Sequence, residues 1–185
     1  SLFSAPMLSD IANLRARIDG GASVELPAVT ELDWSVLCAS DEIFAVSGEG
    51  SVLSLPALAS ITVNTSSCSE TPFMEASDGG LLDMSNLETV TAGELNTFSF
   101  NVRSGGSMDL SSLASVARTD FEVSADASMS LPALASVQKG RFHVFDGGGL
   151  TAPNLTTVSE VRFDLPDVGD AVAFDGLTTV LDSWI

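Results

Sequence analysis

Four arginines, Arg103, Arg118, Arg141 and Arg162, recur at comparable places along this chain, and Asp120, Glu122 and Asp164 flank them. Carboxylates beside guanidinium groups are equipment for holding an anionic sugar or abstracting a proton from one. The same residues alternating in sign on an outward strand face give a solvated, salt-bridged surface, and that is the expectation here. His143, the single histidine, lies between Phe142 and Val144, so strand alternation turns it away from the core. A catalytic nucleophile needs a base beside it. Neither Cys-x-x-Cys, His-Glu-x-x-His nor a Gly-x-x-x-x-Gly-Lys loop occurs, and the run Gly147-Gly148-Gly149 precedes neither a helix nor a lysine. It reads as a turn.

Asp19, Glu49, Asp78, Asp126, Asp146 and Asp167 fall at one recurring turn. Carboxylates stacked from adjacent repeats supply the hard oxygens that Ca²⁺ prefers, so these six are the candidate calcium ligands. Asp and Gly are also ordinary turn formers, the column breaks at Gly105, and no repeat carries Gly-Gly-x-Gly-x-Asp. A second regular set is Ala59-Ser60, Ala114-Ser115, Ala135-Ser136, Thr156-Thr157 and Thr178-Thr179. Small hydroxyl residues on a flat face suit ice binding or close packing. Asp10, Glu31 and Glu88 interrupt the set, no Thr-x-Thr array on a straight strand is expected, and packing at a tight corner is the preferred reading. Asn64-Thr65-Ser66 and Asn154-Leu155-Thr156 match the N-glycosylation pattern, which matters only in a secreting eukaryote.

The bulk properties narrow the classes. The chain has 185 residues, 45% of them hydrophobic, enough for one buried core and too apolar for a disordered acidic tail. Twenty-five acidic residues against 7 basic give a net charge of −18, and Lys139 is the sole lysine. Such a field repels nucleic acid and anionic membranes and favours solubility, cations or basic partners. No run reaches the ~18–20 apolar residues of a membrane span. The start, Ser1-Leu2-Phe3-Ser4, shows no initiator Met and no leader pattern, which leaves a removed signal peptide and a fragment equally open.

The elements that must position these residues emerge from self-similarity. Leu55-Pro56-Ala57-Leu58-Ala59-Ser60-Ile61 recurs as Leu131-Pro132-Ala133-Leu134-Ala135-Ser136-Val137. Aligning weaker copies gives an aliphatic column at Ile11, Leu32, Ile61, Val90, Val116, Val137, Val158 and Val180, with intervals of 21, 29, 29, 26, 21, 21 and 22 residues. A second column lies three residues earlier at Leu8, Val29, Leu58, Leu87, Leu113, Leu134, Leu155 and Leu177. Each unit opens with a Φ-x-Φ pair such as Met129/Leu131, bends at Leu-x-x-Val, and continues through a pair such as Phe121/Val123 or Phe142/Val144. Gly, Ser and Asp then return the chain to the next unit.

No single unit can bury its own apolar residues. Stacking units ~4.8 Å apart turns like residues into internal ladders. The predicted fold is therefore an all-β, single-stranded β-solenoid of about eight coils with parallel sheets, forming one domain over 1–185. The extra residues of the longer intervals are expected as loops near 38–43, 62–72 and 91–97. The stretch Asp10–Arg17 is the one helix candidate, and its alignment with later coils argues against it.

Cys38 and Cys68 lie six and seven residues after Leu32 and Ile61, at nearly the same place in adjacent coils. Disulfides need Cα separations of about 4.4–6.8 Å, which the ~4.8 Å coil spacing satisfies, so a bond between them is expected in an oxidising compartment. Two reduced, partly buried thiols are the alternative.

The pattern Φ-x-Φ-x-x-Leu-x-x-Val-(x)-Phe-x-Val, clearest from Gly106 to Val180, resembles the receptor L-domain family and its leucine-rich-repeat-like relatives in surface proteins. Cysteine-rich flanks and an obvious polar cap are missing. The resemblance implies an extracellular recognition or structural role and supplies no ligand. The functional expectation is a non-enzymatic, secreted or surface-displayed module (a spacer, adhesin or surface-layer subunit) that associates with itself or with other surface proteins. A carbohydrate-binding or polysaccharide-acting β-helix is the alternative, and an ice-binding solenoid a lesser one.

Overall fold

A computed structural model of the chain describes residues 1–35, 42–64, 71–166 and 169–184. It is an all-β, parallel solenoid of about seven turns, and no helix occurs among the described residues. Asp10–Arg17 is a pair of turns running into the strand Ala16–Ile18.

The Φ-x-Φ pairs form the first face. Leu2–Ser4, Ser23–Glu25, Val52–Ser54, Leu81–Asp83 and Ser107–Asp109 pair in that order as a five-stranded sheet. Ser128–Ser130, Gly149–Thr151 and Ala171–Ala173 form a separate three-stranded sheet above it. The bend that follows is a β-turn repeated in every coil. The N–H of each column leucine or valine bonds the carbonyl three residues back, as in Leu58 to Leu55 at 3.1 Å, Leu87 to Met84 at 2.9 Å and Leu155 to Ala152 at 3.1 Å. Proline pre-sets φ for the second position of such a turn, which explains Pro6, Pro27, Pro56, Pro132 and Pro153.

Beyond the bend the chain enters the second face, through Glu31–Trp34, Ser60–Val63, Thr89–Ala92, and the starts of Ser115–Ser124, Ser136–Val144 and Thr157–Asp164. Like residues stack in register: Leu32 pairs with Ile61, Ile61 with Val90, Val90 with Val116, and so on to Val180. The third face carries the Phe-x-Val pairs. Phe100, Phe121, Phe142 and Phe163 stack with ring centroids 5.9, 5.3 and 5.5 Å apart and nearly parallel planes. The interior is continuous: Val29, Leu58, Leu87, Leu113, Leu134 and Leu155 are all fully buried. Stability comes from ladders of this kind, because no coil has a core of its own.

Two corner devices set the coil length. In the coils whose column residue is Ile11, Val116, Val137, Val158 or Val180, the residue two positions on has positive φ: Asn13 57°, Arg118 57°, Lys139 55°, Glu160 55° and Asp182 47°. One left-handed residue turns the chain from the second face to the third. In the coils of Leu32, Ile61 and Val90 the strand runs on to buried Trp34, Val63 and Ala92, and the additional residues follow. The expected loops near 62–72 and 91–97 therefore start later than the sequence suggested.

The second device is the turn before each Φ-x-Φ strand. A Cβ at Gly80 would lie 2.4 Å from the Val46 carbonyl oxygen, at Gly106 2.2 Å from that of Ala76, and at Gly148 2.5 Å from that of Val123. These glycines let each coil settle on the one below. The corresponding residue one coil after Gly106 is Ala127. There the first face splits, with Ser107–Asp109 and Ser128–Ser130 in different sheets and a small cavity between them lined by Met108, Leu110, Ser130 and Pro132. Ala22 and Ser51 hold the same turn position in the unbroken five-stranded sheet, so a side chain there does not itself cause the break.

Candidate functional site

The arginine–carboxylate sector is the outward side of the third face. Ser99, Asp120, Arg141 and Arg162 occupy one register column, and Asn101, Glu122, His143 and Asp164 the next. Charges of opposite sign therefore meet across coils. Arg103 pairs with Glu75 at 3.6 Å and with Glu122, Arg141 pairs with Asp164, and Arg162 Nε donates to Asp164 at 2.6 Å. Arg103, Arg141 and Arg162 form a salt-bridged face, whereas Arg118, grouped with them in the sequence, lies at a corner outside it. Desolvation pushes the Asp164 carboxyl upward, but hydrogen bonds from Arg162 and Arg141, with their charges, outweigh it and hold it below the usual carboxylate range.

His143 faces outward between buried Phe142 and Val144, half-buried, with its ring 4.4 Å from that of Phe145. Its Nδ1 is 3.7 Å from Glu122 Oε2 and makes no hydrogen bond.

Asp120 stands apart. It is half-buried, and desolvation raises its pKa from 3.8 to about 6 against the opposing charge of Arg141. It borders an open groove of about 620 Å³ lined also by Thr97, Arg118, Lys139, Gly140, Glu160, Asp182 and Trp184. Four of these lining residues, Arg118, Lys139, Glu160 and Asp182, are the left-handed corner residues of successive coils. The groove is thus the concave inside of the short corner, running along the solenoid axis. Lys139 and Glu160 form an ion pair at 3.5 Å, both partly exposed, whereas Arg118 makes no ion pair with a described residue. Trp184 bridges to Arg162 and is 55% exposed at the groove's end. A non-glycine residue held at positive φ costs ~1–3 kcal/mol and persists only where its surroundings dictate it.

The sequence singled out Arg118 and Asp120 but not Lys139, Glu160, Asp182 or Trp184 as groove residues. The available signal was a polar residue two places after the column valine, found in the 21- and 22-residue coils and replaced by Trp34, Val63 and Ala92 in the longer ones.

The calcium candidates occupy unlike turn positions. Asp19 precedes the positive-φ pair Gly20-Gly21, Glu49 lies between Gly48 and Gly50, Asp78 and Asp146 take the first left-handed position, and Asp126 the second. Asp78 accepts a 3.2 Å hydrogen bond from Ser47 Oγ. Among the described residues no three His, Cys, Asp or Glu side chains are grouped to hold a metal ion. Asp167, Cys38 and Cys68 lie outside the described residues.

The hydroxyl residues do not all face solvent. Thr156 and Thr178 Oγ1 donate to the carbonyls of Ala135 and Thr156 in the coil below, at 3.1 and 3.2 Å. Thr89-Val90-Thr91 does form a Thr-x-Thr triplet on a strand, contrary to the expectation. The Thr91 column passes through Thr62, Ala117, Gln138 and Leu181, while the Thr89 column keeps a hydroxyl at Ser60, Ser115, Ser136, Thr157 and Thr179, so hydroxyls line one column and not two.

The chain matches no protein-family model, and no similar curated protein or solved structure was found.

Proposed function

We propose that the protein is a non-enzymatic interaction module of the extracellular or cell-surface space, acting as a spacer, adhesin or surface-layer subunit through contacts with further copies of itself. The supporting observation is that apolar side chains are exposed on the first and last coils of this chain. Leu2, Phe3 and Met7 are 67%, 59% and 89% exposed at one end, and Val180, Leu181 and Trp184 are 53%, 52% and 55% exposed at the other. Phe3 and Val180 stand in columns whose inner members Leu53, Leu82, Met108, Val137 and Val158 are buried, whereas Leu2, Met7, Leu181 and Trp184 continue columns that are exposed or half-buried. The two ends carry the same repeat in the same parallel register, so the first coil of one copy offers the last coil of another the strand partners and ladder residues that every inner coil receives. Open parallel edges with apolar side chains template such stacking. A surface location agrees with the acidic, lysine-poor composition and with the implied resemblance to receptor L-domains.

Sedimentation velocity from low to high micromolar concentration tests this. Association should grow with concentration and disappear in Phe3→Lys and Leu181→Lys, each of which places a charge on one end. A monodisperse monomer at high micromolar concentration would overturn the reading.

A further inference from the structure

We propose that the corner groove is a binding cleft for an extended, neutral glycan chain, with Trp184 stacking on one sugar ring and Arg118, Lys139, Glu160 and Asp182 hydrogen-bonding to its hydroxyls. The first argument is periodicity. Successive coils place one long polar side chain each into the groove at the ~4.8 Å coil spacing. An extended chain of 1,4-linked pyranoses advances by close to that distance per ring, so each coil meets the same part of successive sugars. An extended peptide advances ~3.3 Å per residue and falls out of step within two coils.

The second argument is chemistry. The lining mixes guanidinium, ammonium and carboxylate groups along one axis, Arg118 and Lys139 toward one end and Glu160 and Asp182 toward the other. Hydroxyl groups both donate and accept, so a polyol satisfies both signs, whereas a polyanion meets the Glu160–Asp182 end and a net charge of −18. The third argument is Trp184, an aromatic surface open to solvent beside these groups, which is the apolar partner that the C–H face of a pyranose needs. Asp120 sits at the groove edge with its carboxyl poised between donor and acceptor forms near pH 6.

The test is isothermal titration, with tryptophan fluorescence in parallel, of cellohexaose, xylohexaose and chitohexaose, with hexagalacturonate as the anionic arm. Trp34 is buried, so a fluorescence change reports on Trp184. At least one neutral hexasaccharide should bind saturably, with affinity rising from the disaccharide to about four rings, one for each corner residue. Trp184→Ala and Lys139→Ala should each weaken binding about tenfold or more at unchanged melting temperature. Lys139 lies in an inner coil, so its variant keeps the test valid if Trp184→Ala loosens the last one. The proposal is overturned if no neutral hexasaccharide binds at millimolar concentration, if hexagalacturonate binds more tightly, or if binding survives both substitutions.

Discussion

Leu134→Ala tests the ladder at its best-supported rung. Leu134 is fully buried, and its counterparts one coil down and one coil up, Leu113 and Leu155, are fully buried too. The substitution removes three carbons, ~2.4 kcal/mol at ~0.8 kcal/mol per buried methylene. Neighbouring coils fixed by backbone pairing cannot collapse into the gap, so the cavity raises the expected loss to ~3–5 kcal/mol. Leu177 occupies the same ladder in the last coil but is only half-buried, and Leu177→Ala should cost less than ~1.5 kcal/mol. Urea titrations followed by circular dichroism measure both as shifts in midpoint at constant slope. If Leu134→Ala costs under ~1 kcal/mol, or no more than Leu177→Ala, then the ladder is not what holds the coils together.

The raised pKa of Asp120 has a signed consequence. Below pH 3.8 the carboxyl is protonated in both folded and unfolded chains. Between 3.8 and about 6 only the folded chain keeps the proton, so this group's contribution is lost as pH rises through that window and stays lost above it. Asp120→Asn should therefore stabilise the protein by an amount that grows from pH 4 to 6 and is flat at higher pH, read from melting temperatures across that range. Gly140→Ala should destabilise by ~1–3 kcal/mol, since its Cβ would lie 2.2 Å from the Thr119 carbonyl oxygen. Cys38 and Cys68 should give no free thiol when the unreduced protein is unfolded and titrated. Closing the ~30-residue loop between them stabilises by roughly 3–4 kcal/mol on the chain-entropy model, a loss that reduction should reproduce.

The ladders were legible because burial in a solenoid imposes a strict period, and eight entries of Leu or Val at one position leave little room for another reading. The bend at Leu-x-x-Val was legible as spacing, and the prolines at its second position show the turn that makes it. The corners were harder to read. Left-handed backbone usually announces itself as Gly or Asn, but here Arg118, Lys139 and Glu160 adopt it because flanking strands already paired to their neighbours fix both ends of the turn. The split of the first face between Ser107–Asp109 and Ser128–Ser130 had no signal in the sequence, since Ala22 and Ser51 hold the position of Ala127 in coils that pair without a break. The charged sector was readable as residues but not as pairs, because which carboxylate meets which arginine depends on inter-coil register. Asp164, between Arg141 and Arg162, illustrates this.

Coil length and the groove have a common cause. A corner made by one left-handed residue brings the second and third faces together sharply, leaving a concave strip on the outside of the stack. In the coils of Leu32, Ile61 and Val90 the strand runs straight on to buried Trp34, Val63 and Ala92 instead. Three consecutive short corners, Arg118, Lys139 and Glu160, with Asp182 continuing the column, build the groove; the coil of Val90, the last of the long ones, contributes only Thr97 at its margin. The variation in interval from 29 to 21 residues therefore marks where along the solenoid a ligand has room to lie.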